Sequence, residues 1–188
     1  MLKLKDIRKP LPFNMNKNTS VFISLKEVAL ASEREKYNVE LDFDVYLPTK
    51  GKNLQRPLIW SLQQKQELIL SIFKEINIPS ISVIQYKEET GNLSAKIIYK
   101  IIDGKQRLSA LISYANNEFP IVWEGKEYYL RDLDEWGYRA IMHYTVIGNV
   151  AYEYNDKPIS DNDKIAWFER INFAGTPQDF EHLKNLKA

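Results

Sequence analysis

Ile97-Ile98-Tyr99-Lys100-Ile101-Ile102-Asp103-Gly104-Lys105-Gln106-Arg107-Leu108 decides the fold. The apolar run Ile97 to Ile102 stops at Asp-Gly, and Leu108 to Tyr114 follows with helical spacing, so a strand is predicted to turn straight into a helix. Such a turn leaves backbone N–H groups unpaired at the positive end of the helix dipole, which suits an anion. Lys105 and Arg107 bias the choice toward phosphate, because Arg offers a planar two-pronged donor and Lys a compact charge. An Asp-Gly pair alone ordinarily marks a surface turn with solvated charges. The company of the pentapeptide therefore decides its meaning.

On the N-terminal side, Ser24-Leu25-Lys26-Glu27 has the form of a capping box opening a helix to about Lys36. Val39, Leu41, Phe43, Val45 and Leu47 then alternate with Glu40, Asp42 and Asp44, the pattern of a half-buried strand with an acidic face. That face is a solvated one or a cation site, and solvation is the commoner meaning. Pro48 to Asn53 reads as a loop. Ser61 to Gln64 caps a second helix continuing at helical spacing to Ile76, with Pro79 ending it. Ile81 to Tyr86 is a strand, Glu89 to Asn92 a turn, and Lys96 to Ile102 the returning strand, apolar on both faces and so expected centrally in its sheet. C-terminal to the pentapeptide come a hairpin around Glu124-Gly125-Lys126, a short helix through Leu133 to Ile141, a strand Val146 to Tyr152, and a helix from Asp161 to about Asn172 capped by Ser160. Gly175 is placed to terminate that helix, and Thr176-Pro177-Gln178-Asp179 opens a last one. The sum is a mixed α+β domain with a helical C-terminal appendage.

Composition sets the limits on function. The chain has 188 residues, long enough for a real core, and its 44% hydrophobic content argues against disorder. A formal charge of +1 gives no overall attraction to nucleic acid, so any anion site must be local. The compact basic run Lys3, Lys5, Arg8 and Lys9 reads as a solvated tail. With no cysteine there are no disulfides, thiolate metal sites or cysteine nucleophiles. No apolar run approaches a membrane span, and a cytoplasmic location is expected. His143 and His182 lack metal-ligand spacing, and no phosphate-loop or dinucleotide fingerprint occurs.

Four pieces carry candidate chemistry. Asp103 either caps the helix or holds a magnesium ion, and capping is the commoner role. Gln106 either binds ligand or steadies the turn. Arg56, just ahead of the second capped helix, offers another anion contact, with Trp60 packing or stacking beside it. The stretch Trp167 to Pro177 joins two helices and carries Arg170 and Asn172.

The order of Gln55-Arg56-Pro57-Leu58-Ile59-Trp60, Ile78-Pro79, Ile101-Ile102-Asp103-Gly104-Lys105-Gln106-Arg107-Leu108 and Phe168-Glu169-Arg170-Ile171-Asn172-Phe173-Ala174-Gly175-Thr176 resembles the N-terminal domain of the GmrSD family. That family's hallmark is D-G-Q-Q-R, and it belongs to the ParB-like and sulfiredoxin-like superfamily. The matching pieces span about Gln55 to Leu183, and Lys105 stands where the family usually has Gln. The resemblance implies a ParB/sulfiredoxin-like mixed sheet with packed helices, a nucleotide-binding domain over 1–155 with an N-terminal extension, and a helical segment over 156–188 packing on it. It implies a nucleotide-binding, NTP-hydrolysing module of a restriction and phage-defence system, without a nuclease domain in this stretch, so that DNA is not cleaved unaided.

By the same resemblance Asp103, Gln106 and Arg107 take catalytic roles, while Gly104, Lys105, Gln106, Arg107, Arg56 and Asn172 surround the nucleotide. Magnesium, reached through Asp103, and a nucleoside triphosphate are the implied cofactor and ligand. DNA or a separate nuclease subunit is the further partner, and a homodimer is compatible. The competing functions are a non-catalytic ParB-like module binding DNA or nucleotide, and a purely structural domain. The phosphate reading requires Lys105 and Arg107 to border a concavity; it fails if both splay into solvent or are ion-paired with no cavity beside them.

Overall fold

The computed structural model describes residues 20–89 and 95–173. In chain order these form β1 (Ser20–Ser24), α1 (Leu25–Ala29), α2 (Ala31–Tyr37), β2 (Val39–Asp42), β3 (Tyr46–Leu47), β4 (Lys52–Asn53), α3 (Leu62–Phe73) and β5 (Ile81–Glu89). After these come β6 (Ala95–Asp103), α4 (Lys105–Ala115), β7 (Ile121–Trp123), β8 (Lys126–Tyr128), a 3-10 turn (Leu130–Asp132), α5 (Glu135–Met142), β9 (Thr145–Glu153) and α6 (Asp161–Phe173). The fold class is α+β. Its main sheet has the order β1-β9-β5-β6-β2, with β9 and β5 parallel, β5 and β6 antiparallel, and β6 and β2 parallel.

Alternation along the inner strands divides the core in two. Ile81, Val83 and Ile101 face one side, where Leu108, Leu111 and Tyr114 of α4 meet Ile69 of α3, Val28 of α1 and Ile141 of α5. Ile84 and Ile102 face the other, against Val45, Leu47 and Leu54 and against Ile165, Trp167 and Phe168 of α6. Both faces are thereby covered where the two strands are buried, at Ile81 to Ile84 of β5 and at Ile101 and Ile102 of β6, which is why five of those six residues are apolar. The middle position belongs to β5, while β6 lies next to it, enclosed by the short β2 rather than at the sheet's centre. Full burial of each such aliphatic side chain stabilises by roughly 1.5–3 kcal/mol.

Several N-terminal expectations are corrected. The helix expected over Leu25 to Lys36 is two helices, because Leu30 takes an extended conformation, and Ser24 makes no side-chain capping bond. Strand β1, absent from the sequence reading, pairs with β9. The strand expected through Leu47 ends at Asp42, whose Oδ1 accepts from the amides of Asp44 (3.0 Å) and Val45 (2.9 Å) and bends the chain. After the bend Val45 and Leu47 enter the α6 side of the core, whereas Val39, Leu41 and Phe43 pack on the other. The acidic residues separate accordingly: Glu40 pairs with Lys96 and Asp44 with Lys105. Among the described residues no cluster of acidic or histidine side chains could hold a metal.

The loop after Pro48 closes a small β3–β4 hairpin, and α3 ends at Phe73 rather than near Ile76. Ser61 and Gln64 form the expected capping box, and the Ser160 hydroxyl donates to Asp163 while accepting from its amide. The hairpin around Gly125 is present. The Lys3 to Lys9 basic run, the turn after Glu89, His182, and the Gly175 to Asp179 signals lie outside the described residues.

Candidate functional site

The strand-to-helix handover is as sharp as its sequence suggests. β6 ends at Asp103 and α4 begins at Lys105, so Gly104 alone makes the turn, at φ 97° and ψ 10°. A side chain there would be strained by that φ and would also meet Ile81, with a Cβ only 2.3 Å from Ile81 Cγ2. Among the described residues no side chain caps the helix N-terminus. Just before the turn the β5–β6 register slips between Ser82 and Val83, an irregularity of the kind that re-aims side chains at the end of a strand.

The pentapeptide side chains diverge and each finds a partner. Asp103 Oδ2 accepts from the Arg107 guanidinium at 2.7 Å, and the same nitrogen contacts the Ser80 carbonyl at 3.3 Å. Arg107 Nε is buried without a hydrogen-bond partner among the described residues. Lys105 is 7% exposed, and its amine donates to Asp44 Oδ1 at 2.8 Å. Gln106 is wholly engaged with main chain: its Oε1 accepts from the amides of Ile59 (3.1 Å) and Trp60 (3.2 Å), and its Nε2 donates to the Pro57 carbonyl at 2.9 Å. It therefore fastens the 57–60 segment to the start of α4. Of the two roles open to Gln106 in the sequence, the geometry displays the steadying one.

A cavity of about 160 Å³ lies beside the turn. Its wall includes Asp103, Gly104, Lys105, Gln106 and Arg107, with Arg56 from the segment before α3 and Asn172 from α6. Arg56, Asp103 to Arg107 and Asn172 thus border one space, while Arg170 is not on its wall and both cations of the pentapeptide are ion-paired. Asn172 donates through Nδ2 to the Phe168 carbonyl at 2.9 Å, which fixes its side chain against α6. Three cationic side chains and one carboxylate line this cavity, so its charge favours an anion.

Sequence reasoning missed Gln55 and Asp44 as parts of the site. Gln55 Nε2 donates to the Ile101 carbonyl at 2.7 Å, anchoring the segment that carries Arg56 to the end of β6. Asp44 read as one tooth of an acidic strand face, and only the bend at Asp42 carries it to Lys105. Trp60 and Phe168 line the small cavity as well.

Magnesium does not find a protein-built site here. Among the described residues Asp103 is the one carboxylate on the small cavity's wall, and it already pairs with Arg107. A single engaged carboxylate falls short of the oxygen set that Mg²⁺ requires, so the ion's waters and a ligand's phosphates would have to supply the rest.

On the α6 side a second polar cluster secures the framework. Asp161 Oδ2 accepts from the Thr49 amide (2.9 Å) and hydroxyl (2.7 Å), and Lys164 lies 3.6 Å from Oδ1. Burial pushes the Asp161 carboxyl up, but these hydrogen bonds and the Lys164 charge outweigh it and hold the group below its ordinary value. Buried Glu153 pairs with Lys100 and accepts from the Ile159 amide at 3.0 Å. Among the described residues no helix is long and apolar enough to cross a membrane.

Comparison with known proteins returns one family. The model of the GmrSD restriction endonuclease N-terminal domain matches residues 37–187, a stretch that includes every residue of the cavity just described. No curated protein and no solved structure matches the chain. The match covers most of the sequence, and the chain belongs to the GmrSD restriction endonuclease N-terminal domain family.

Proposed function

We propose that this chain is a nucleotide-binding module of a GmrSD-like DNA restriction system, taking the phosphates of a nucleoside triphosphate at the turn after β6. One observation carries the reading: residues from three separated stretches, Arg56, Asp103 to Arg107, and Asn172, border a single cavity in which cationic side chains outnumber carboxylates. The uncapped N-terminus of α4 and the unpartnered Arg107 Nε add donors of the kind a phosphoryl oxygen accepts from. Family membership supplies the restriction context.

Binding is better supported than turnover. Asp103 is held by Arg107 and the Gln106 amide by the 57–60 main chain, so neither is poised as a base or a water-positioning group. Hydrolysis in this site would rest on the positive charge of Lys105 and Arg107 around the transferred phosphoryl group. The formal charge of +1 argues that DNA is engaged through a partner rather than by this chain's overall field.

Thermal unfolding with each of the four ribonucleoside triphosphates and magnesium tests the proposal. A ligand at a hundred times its Kd adds about 2.7 kcal/mol, enough to raise Tm by several degrees. Lys105→Met keeps an unbranched side chain while removing the charge, and it should shrink the rise. Inorganic phosphate release from the same samples separates turnover from binding, with Arg107→Ala expected to remove any turnover. If no triphosphate moves Tm at all, the proposal is wrong.

A further inference from the structure

The small cavity does not stand alone. A larger one, about 720 Å³, adjoins it, and the two share Gln55, Arg56 and Lys105 as common wall. The small cavity falls below the roughly 300–1,000 Å³ range of whole-ligand sites, and the large one falls within it. Four charged side chains line each of them, Asp44, Lys52, Arg56 and Lys105 in the large one and Arg56, Asp103, Lys105 and Arg107 in the small one, so the difference lies in size and in apolar surface. The small one exposes polar and apolar surface almost equally, whereas the large one, with Phe43, Pro57 and Leu58 beside Asn53 and Ser109, exposes mostly apolar surface. Apolar and aromatic surface with a few polar groups is what a nucleobase and its ribose require, by stacking and by hydrogen bonding.

We infer that the ligand straddles the shared wall: its phosphates lie in the small cavity, its nucleoside lies in the large one, and the large cavity sets base preference. This rests on the nucleotide-binding reading above and extends it to the part of the ligand that carries identity. Gln55 is the positioning residue of the junction. Its hydrogen bond to the Ile101 carbonyl ties the Arg56 segment to the end of β6, so the two compartments keep a fixed separation. Lys105 lines both cavities and its amine donates to Asp44, so a phosphate crossing between compartments would share that amine with the Asp44 carboxylate.

Two probes distinguish the compartments: inorganic tripolyphosphate, which needs only the small cavity, and the four ribonucleoside triphosphates, which need both. Titration calorimetry on the full chain should show the preferred nucleotide binding about tenfold or more tighter than tripolyphosphate. Ser109→Trp on α4 fills the large cavity, and Asn53→Trp does so from the exposed β3–β4 hairpin, where the fold is least at risk. Either should bring the nucleotide down to within about threefold of tripolyphosphate while leaving tripolyphosphate affinity unchanged. The inference is overturned if the nucleoside adds nothing to tripolyphosphate binding, or if a folded Trp variant retains the nucleotide's advantage. Should neither probe bind, the phosphate site itself is refuted and this inference falls with it.

Discussion

Gly104 is the residue on which the site turns, for two independent reasons that act on the same atom. Its φ of 97° is one that side chains rarely adopt, and Ile81 occupies the space a Cβ would take. Gly104→Ala should destabilise the protein by about 2 kcal/mol or more, combining backbone strain with overpacking, and chemical denaturation will register it as a lower midpoint at unchanged slope. A loss under about 0.5 kcal/mol would mean that the turn relaxes freely. Gln106 makes a different kind of contribution, since its amide serves three main-chain groups of another segment. Gln106→Ala should cost about 1–3 kcal/mol and speed hydrogen exchange at the Ile59 and Trp60 amides well beyond that of the α4 interior. Uniform exchange across both segments would contradict that role.

Among the elements, α6 depends on an attachment that titrates. Asp161 sits at its first turn and binds the Thr49 amide and hydroxyl, joining α6 to the β3–β4 hairpin. Its folded pKa is lowered from 3.8, so the stability it contributes is complete above that value and is lost as pH falls through the lowered folded value. Denaturation midpoints of the parent should therefore drop more steeply between about pH 5 and pH 2 than those of Asp161→Asn. Parallel curves would contradict the attachment. The elements most legible in the sequence are those whose signals are local: the Ser61 and Ser160 caps, the Gly125 hairpin, and the β6 run ending in Asp-Gly. Those misread are where a local signal was overridden. Asp42 turned its carboxylate onto two following amides and cut an alternating strand short, and Leu30 broke a helix that periodicity would have continued.

For the whole molecule, the second face of the sheet is what brings Asn172 to the site. Trp167 and Phe168 are buried against Ile84 and Ile102, and this packing fixes α6, hence Asn172, beside the β6 turn. Trp167→Ala should cost about 3–5 kcal/mol, and any phosphate affinity should fall with it because one wall of the cavity is released. Retention of full affinity in the destabilised variant would show that α6 is dispensable to the site. The sequence alone determined the α+β class, the strand that hands over to a helix through a single glycine, and the identity of the residues around that handover, since each follows from neighbours within a few positions of one another. Only the tertiary structure decided that Asp44 meets Lys105, that Gln106 clasps the 57–60 segment, and that Arg56 and Asn172 arrive at the same cavity. Those encounters join residues tens of positions apart, and no local period or propensity encodes them: they exist because two-sided burial of β5 and β6 draws separate parts of the chain onto one sheet.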